Sequence, residues 1–318
     1  VLGLHPVVAF LVGAILTPTD PIVASSIVQG PLAKKALPAR LRHLLSAESG
    51  ANDGLAVLFV LAPILLLTHL AGPAEAWALE ALVRKAVLSV LFGAALGYVA
   101  ALVFAWASDH DDMEVASHMG YTLALAILTL AAGELLHLNG VLAVFVAGIA
   151  FTLRTDSSRQ KEEENVQEAV NLFFTLPAFA LLGLVLPWEG WLKLGWKGLL
   201  LAGLVLALRR LPAVFLLRRW LGGMRAPRDY LWYGWFGPIG ASAAFYAAEA
   251  HERTGLTEVW DVATLVIVAS LVAHGVTSGP WARAYGRRAG RLAAGDERGA
   301  SGGDQGKEER SAKGSAQA

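Results

Sequence analysis

Long apolar stretches alternate with short charged clusters along most of the chain. The charged residues gather near 34–42, 109–114, 154–168, 218–229 and 283–310. A hydrocarbon core about 30 Å thick is crossed by about 20 apolar residues of helix. The pattern therefore predicts an all-α polytopic membrane protein with about nine spans. We place these spans near residues 6–29, 44–69, 82–106, 119–137, 139–154, 169–187, 196–217, 229–249 and 258–280.

Composition supports this class of protein. Apolar residues make up 55% of the chain and charged residues 16%, whereas soluble domains carry about 25% charged residues. The chain contains no cysteine, which excludes disulfides and cysteine metal sites. Net charge is zero, and no basic stripe with interleaved aromatic residues occurs. We therefore expect no nucleic-acid partner, and we also expect no cofactor.

Lysine and arginine are concentrated in alternate loops, which predicts that those loops and the C-terminus are cytoplasmic. We expect residues 1–285 to form the transmembrane domain and residues 286–318 to form a disordered cytoplasmic tail. The tail is poor in bulky apolar side chains and cannot offset its ordering entropy by burial. The chain begins at Val1 on an apolar run without a signal-peptide pattern, so we expect N-terminal helices to be missing.

The first span contains an aspartate between two prolines, in the segment Thr17-Pro18-Thr19-Asp20-Pro21. Proline removes a backbone donor and interrupts a regular helix. A broken helix at membrane depth is tolerated where its backbone lines a cavity or is buried in protein. A proline kink or a surface loop would explain the prolines, but neither explains a mid-span aspartate. The pattern favours an ion site at Asp20.

The second span carries four polar side chains within six positions. Glu48 and Asn52, and likewise Ser49 and Asp53, are separated by four residues and share one side of a helix. A polar start to the span, capped by a serine, is the alternative. Because the polar residues continue past the start of the span, we favour a cation- and proton-binding site.

Two adjacent arginines, Arg209 and Arg210, lie late in the seventh span. A long arginine side chain near the end of a span can extend its charged group to the membrane interface. We expect one of the two to do so. We expect the other to turn inward and pair with a buried carboxylate, for which Glu48 is the best candidate. A lone histidine such as His274 is expected to be packed rather than to act as a ligand.

These residues resemble the signature of the monovalent cation:proton antiporter-1 family, the sodium/proton exchangers. Four segments carry the resemblance: Thr19-Asp20-Pro21, the Glu48-Ser49 and Asn52-Asp53 motif, Arg210 with Val214, and the Gly-Pro-x-Gly segment within residues 234–240. The resemblance implies a sodium/proton antiporter-like fold with discontinuous crossing helices. One departure is Ile239, at a position where members of the family often have arginine.

The resemblance also implies a role for each residue of the site. Asp53 is expected to bind the transported cation and exchange protons, and Asp20 is expected to share the transported Na⁺. Thr19 and Ser49 are expected to add oxygen contacts, and Asn52 to position the site. Glu48 and Arg210 are expected to form a structural ion pair.

The implied function is secondary active antiport of a monovalent cation, Na⁺ or K⁺ or Li⁺, for protons by alternating access. It would be a transporter and not an enzyme. Asparagine at position 52 leaves one titratable charge fewer than a second aspartate would, and the resemblance then implies electroneutral exchange. A homodimer in a lipid bilayer, most simply the bacterial inner membrane, is also implied.

Three other functions share part of this pattern. An intramembrane aspartyl protease would also place aspartates, here Asp20 and Asp53, on adjacent spans, but the residues around them differ from protease motifs. A cation channel would need a repeated re-entrant filter loop, and no such repeat is visible. A ligand-gated potassium efflux protein usually appends a nucleotide-binding unit, for which this chain has no glycine-rich fingerprint.

Overall fold

A computed structural model describes residues 1–20, 23–24, 37–68, 74–110, 115–155, 173, 175–221, 224 and 226–315. Within these residues the regular elements are all helical, as the sequence predicts. In chain order they are α1 (Pro6–Ile15), α2 (Ala39–Thr68), α3 (Ala74–His110), α4 (Val115–Leu135), α5 (Gly140–Thr152), α6 (Thr175–Leu184), α7 (Trp188–Leu208), α8 (Leu211–Leu216), α9 (Pro227–Trp235), α10 (Ala241–Thr254) and α11 (Thr257–Ser315).

Among the described residues, four stretches of helix are long and apolar enough to cross a membrane: Ala39–Thr68, Lys85–Ser108, Trp188–Leu216 and Thr257–Gly286. Shorter apolar stretches of 10–17 residues are Pro6–Ile15, Gly120–Leu135, Gly140–Thr152 and Thr175–Leu184. Large apolar side chains such as Leu91, 61% exposed, face outward, as expected where lipid tails are as apolar as leucine. The count of nine spans stays a prediction.

The first and the eighth expected spans are interrupted in the structure. Helix α1 ends at Ile15, and residues 17–20 continue as non-helical chain. Much of the rest of the first predicted span, residues 25–29, lies outside the described part. The eighth predicted span, 229–249, divides into α9 and α10 around residues 236–240. Proline explains both breaks, because Pro18 and Pro238 each lack the amide hydrogen that a continuous helix needs.

Helices α1, α2, α10 and α11 enclose a common apolar core, whose fully buried members include Leu11, Val60, Ala247 and Val266. Helices α3 and α5 pack still more closely. A Cβ atom added at Gly97 would overlap the carbonyl oxygen of Ala147. Small residues at such contacts let helix backbones approach each other directly, as in other membrane proteins. The apolar core of α1, α2, α10 and α11 therefore holds the two helix breaks against α2 and α11.

The backbone of α11 continues as helix to Ser315, through the segment whose composition predicts disorder. Alanine, lysine, arginine and glutamate favour local helix without burial, which accounts for the difference. The same segment carries Gly295, Gly299 and Gly302, each of which weakens a helix by about 1 kcal/mol relative to alanine. The disordered tail at 286–318 stays a prediction.

Candidate cation site

The two breaks meet at Asp20. Its backbone N–H donates to the carbonyl oxygen of Pro238 at 2.8 Å. Its carboxylate accepts the N–H of Val23 at 3.0 Å and the N–H of Ala241, the first residue of α10, at 2.6 Å. The side chain is 1% exposed. A buried carboxylate at the start of α10 is stabilised by the positive end of the helix dipole.

Gly240 allows this close approach, because a Cβ atom at that position would overlap the Asp20 carboxylate. The glycine is required here for space. Any larger residue would separate the two broken helices. The Gly-Pro-x-Gly segment therefore has a steric reason for its final glycine.

Asp53 lies on α2 beside the place where the two helix breaks meet, which we call the crossing. Its Oδ1 atom is buried and has no hydrogen-bond partner among the described residues. The Ser242 side chain hydrogen-bonds the Asp53 carboxylate, and Asp20 is near enough for its charge to act on Asp53. The Tyr246 hydroxyl donates to the Asp53 carbonyl oxygen at 2.8 Å. A buried, unpaired carboxylate oxygen is costly unless a proton or a cation neutralises it. This oxygen is thus the most suitable place in the described site for either.

Glu48 is the centre of a second polar network, one turn before Asn52. Its Oε2 atom lies 2.5 Å from Arg210 Nη2 and accepts a hydrogen bond from the Tyr233 hydroxyl at 2.5 Å. Its Oε1 atom accepts from Asn52 Nδ2 at 3.1 Å. The Arg210 guanidinium also lies over the Tyr233 ring, 4.9 Å from its centroid. These contacts hold the Asn52 side chain against Glu48, and its positioning role stays a prediction.

The expectation that one arginine reaches the interface is wrong, because both turn inward. Helix α7 ends at Leu208, and Arg209 and Arg210 lie in a bend before α8, where Pro212 starts a new helix. The expectation assumed one continuous helix through both positions. At the bend, Arg209 Nη1 donates to the carbonyl oxygens of Leu16 at 2.7 Å and Pro18 at 3.2 Å. Its Nη2 donates to the carbonyl oxygen of Gly237.

Thr19 and Ser49, both 0% exposed, make contacts that bear on their expected roles. The Thr19 hydroxyl oxygen accepts from Arg209 Nη2 at 3.4 Å and from Arg210 Nη1 at 3.3 Å. A cation on that oxygen would lie beside two guanidinium groups. The Ser49 hydroxyl donates to the Leu45 carbonyl at 2.9 Å, which leaves its oxygen able to accept. Cation contacts by either residue stay predictions.

Helix α11 supports the second break through residues that the sequence analysis did not assign to the site. Ser270 Oγ accepts the N–H of Ile239 at 2.8 Å, and His274 Nε2 lies 2.9 Å from the carbonyl oxygen of Trp235. The Trp235 indole N–H donates to Thr277 at 3.0 Å. Polar residues at positions 270, 274 and 277 follow helical spacing within an apolar span. That spacing was a usable signal for a polar strip facing the protein interior.

Two broken helices that meet at their breaks, with a buried carboxylate between them, resemble the kind of ion site found in secondary transporters. The family model described as "Sodium/hydrogen exchanger, transmembrane" matches residues 1–284. The chain belongs to the sodium/hydrogen exchanger family, which confirms the resemblance drawn from its motifs. It is an integral membrane protein.

Several relatives agree with this family. The chain is 30% identical to Na(+)/H(+) antiporter 2 of Zygosaccharomyces rouxii, over 86% of this chain and 38% of the relative. It is 31% identical to the Na(+)/H(+) antiporter NhaP of Pseudomonas aeruginosa, over 86% of this chain and 65% of the relative. The solved structure of the sodium proton antiporter MjNhaP1 from Methanocaldococcus jannaschii has the same fold. It has a TM-score of 0.63 at 19% identity and covers 88% of this chain and 73% of that one.

The chain therefore spans less than half the length of the yeast relative. The family is one of exchangers, so neither the aspartyl protease nor the cation channel finds support. The bacterial membrane also finds no support, because similar relatives include fungal proteins as well as a bacterial one.

Proposed function

We propose that the protein containing this chain is a secondary active antiporter that exchanges Na⁺ for protons at Asp53. The observation that carries the proposal is the buried Oδ1 atom of Asp53, unpartnered among the described residues and adjacent to the helix crossing. Carboxylate, hydroxyl and carbonyl oxygens are hard ligands suited to a small monovalent cation. Asp20 and Ser49 are the candidate further contacts, and Asn52 is held in place by Glu48.

The charges around the crossing favour one cation for each proton. Among the described residues there, three carboxylates (Asp20, Glu48, Asp53) face two guanidinium groups (Arg209, Arg210), which leaves one negative charge with His274 counted as neutral. One Na⁺ or one proton neutralises it. A net charge at mid-bilayer costs about 2.5–3.5 kcal/mol on insertion scales, roughly a 70- to 400-fold slower step. The empty site therefore crosses far more slowly than either loaded form, and exchange is obligatory.

The test is Na⁺-driven proton flux in proteoliposomes that contain the full-length protein. Asp53→Asn, which keeps the side-chain shape and removes the charge, should abolish flux. Glu258→Gln removes an exposed carboxylate at the start of α11 and should leave flux unchanged. Flux in Asp53→Asn at the wild-type rate would refute the assignment of Asp53. Repeating the assay with K⁺ and Li⁺ identifies the transported cation.

Competition for one carboxylate also predicts the pH dependence. At pH values where Asp53 is mostly protonated, the Na⁺ concentration for half-maximal flux should rise about tenfold for each unit that pH falls. A half-maximal concentration that does not change between pH 6 and pH 8 would show that Na⁺ and protons do not compete for a common group.

We also propose a homodimer in the lipid bilayer with its C-terminus in the cytoplasm. Light scattering of the purified protein in detergent tests the dimer. A single cysteine introduced at Ser311 tests the orientation, because this chain has no cysteine of its own. The cysteine should react with an impermeant maleimide only after the cytoplasmic face is exposed.

A further inference from the structure

Arg209 joins the two broken helices, and its position is not explained by the ion pair between Glu48 and Arg210. Its guanidinium contacts three backbone carbonyl oxygens, those of Leu16, Pro18 and Gly237. The first two follow the end of α1, and the third follows the end of α9. The last carbonyl groups of a helix lack partners within that helix and carry the negative end of its dipole. Arg209 thus holds the chain segments that leave both helices, within three residues of the negative ends of their dipoles.

The guanidinium suits this task by its shape. Its N–H donors form a rigid planar fork that can bridge acceptors from different segments, whereas a lysine ammonium acts as a compact point charge. While Arg209 is bound, these three carbonyl oxygens are turned towards a fixed cation. They are correspondingly poor ligands for a second, mobile one. The transported ion is left with the side-chain oxygens on the Asp53 side of the crossing.

The positive charge of Arg209 also contributes to the net charge of the site. Arg210 lies 2.5 Å from Glu48 and compensates that carboxylate. Arg209 is then the remaining fixed positive charge set against Asp20 and Asp53. With it, one monovalent cation makes the crossing neutral. Without it, the singly loaded site keeps one negative charge.

We propose that Arg209 is a positioning residue with two effects: it ties α1 to α9, and it sets the site to carry one monovalent cation in each half-cycle. This inference rests on the proposed exchange at Asp53. If it holds, removing the charge affects the two loaded forms differently. The Na⁺-loaded site crosses with one negative charge, roughly 70-fold more slowly or worse. The proton-loaded site can take a second proton and cross neutral, which moves the proton-to-Na⁺ ratio from one towards two.

The experiment compares Arg209→Met with Arg209→Lys in proteoliposomes that contain the full-length protein. The matched control is Arg219→Met, an exposed arginine that follows α8. The readouts are the rate of Na⁺-driven proton flux, the proton-to-Na⁺ ratio from the equilibrium gradient, and the rise in melting temperature on adding Na⁺. Arg209→Met should remain stabilised by Na⁺ and should lose flux at least tenfold, and the flux that remains should have a ratio shifted from one towards two. Arg209→Lys should restore flux with a ratio of one.

Three results would overturn the inference. The first is wild-type flux with a ratio of one in Arg209→Met. The second is a loss of flux in Arg209→Lys equal to that in Arg209→Met, because the positive charge that lysine retains would then have no effect on flux. The third is loss of Na⁺ stabilisation in Arg209→Met, which would assign the residue to folding alone. If the wild-type protein shows no Na⁺-driven flux, the proposed function itself is refuted. That result comes from the wild-type protein alone, so it is distinct from the three results above.

Discussion

The Glu48 network offers a direct test of what holds the site together. Glu48 accepts from Arg210, Tyr233 and Asn52, which come from the α7–α8 bend, α9 and α2. The Arg210 side chain is 9% exposed and that of Glu48 is 25% exposed. Glu48→Gln keeps the shape of the side chain and removes its charge. The substitution leaves a nearly buried guanidinium without its counter-ion.

Breaking a buried ion pair by changing one partner costs about 3–5 kcal/mol. The partial exposure of Glu48 lowers this figure, so we expect Glu48→Gln to cost about 2–3 kcal/mol in the free energy of unfolding. Arg210→Met should cost a similar amount, because it leaves the Glu48 carboxylate unpaired. The double variant should cost less than the sum, since neither charge is then left alone. The expected coupling free energy is at least about 1.5 kcal/mol, above the roughly 0.6 kcal/mol typical of an interhelical hydrogen bond in a membrane protein.

The assay is unfolding by sodium dodecyl sulfate in mixed micelles, followed by the intrinsic fluorescence of the ten tryptophans, which include the buried Trp232. Glu258→Gln and Arg219→Met form the matched control cycle, because both residues are exposed. The control pair should be additive. If the Glu48 and Arg210 effects also add within about 0.5 kcal/mol, the ion pair contributes no specific stability and the reasoning fails.

Three further predictions follow from the crossing. Asn52→Asp adds a carboxylate beside Glu48, so the proton-to-Na⁺ ratio should move from one towards two, and flux should become sensitive to membrane potential. Gly240→Ala places a Cβ atom on the Asp20 carboxylate and should lower both flux and melting temperature. The control is Gly203→Ala, whose added Cβ atom meets nothing within 4 Å. It should stabilise its helix by about 0.5–1 kcal/mol. His274→Ala removes the hydrogen bond to the carbonyl oxygen at the end of α9 and should cost about 1–3 kcal/mol of unfolding free energy, while His274→Gln should recover part of it.

The helix breaks and the positions of the carboxylates could be predicted from local sequence. Pro18 and Pro238 remove backbone donors wherever they lie, and a mid-span aspartate is expensive in any arrangement of helices. The spacing of Glu48 and Asn52 likewise determines their contact, because both belong to the same helix. For these features, the physical cause is contained within a few residues of sequence.

The partners of those residues could not be predicted in the same way. Tyr233 reaches Glu48 across 185 residues of sequence, and Tyr246 reaches Asp53 across 193. Such contacts depend on how α9 and α10 pack against α2, and no local pattern encodes that packing. The inward turn of Arg209 has a similar origin. It follows from the bend before Pro212, whereas the sequence was interpreted as a continuous span.

The bend at Arg209 also bears on the departure at Ile239, where the family resemblance leads one to expect arginine. Ile239 is 0% exposed and packs in the apolar core, and its N–H is bonded to Ser270. A guanidinium on that side chain would have to displace apolar packing. Arg209 instead brings its positive charge to Gly237, two residues earlier in the same break, from the bend between α7 and α8. A positive charge next to the Gly-Pro-x-Gly segment is therefore present although its usual position is apolar. The effect of this charge on the site depends on all the charged groups at the crossing, and some of those groups lie outside the Gly-Pro-x-Gly motif.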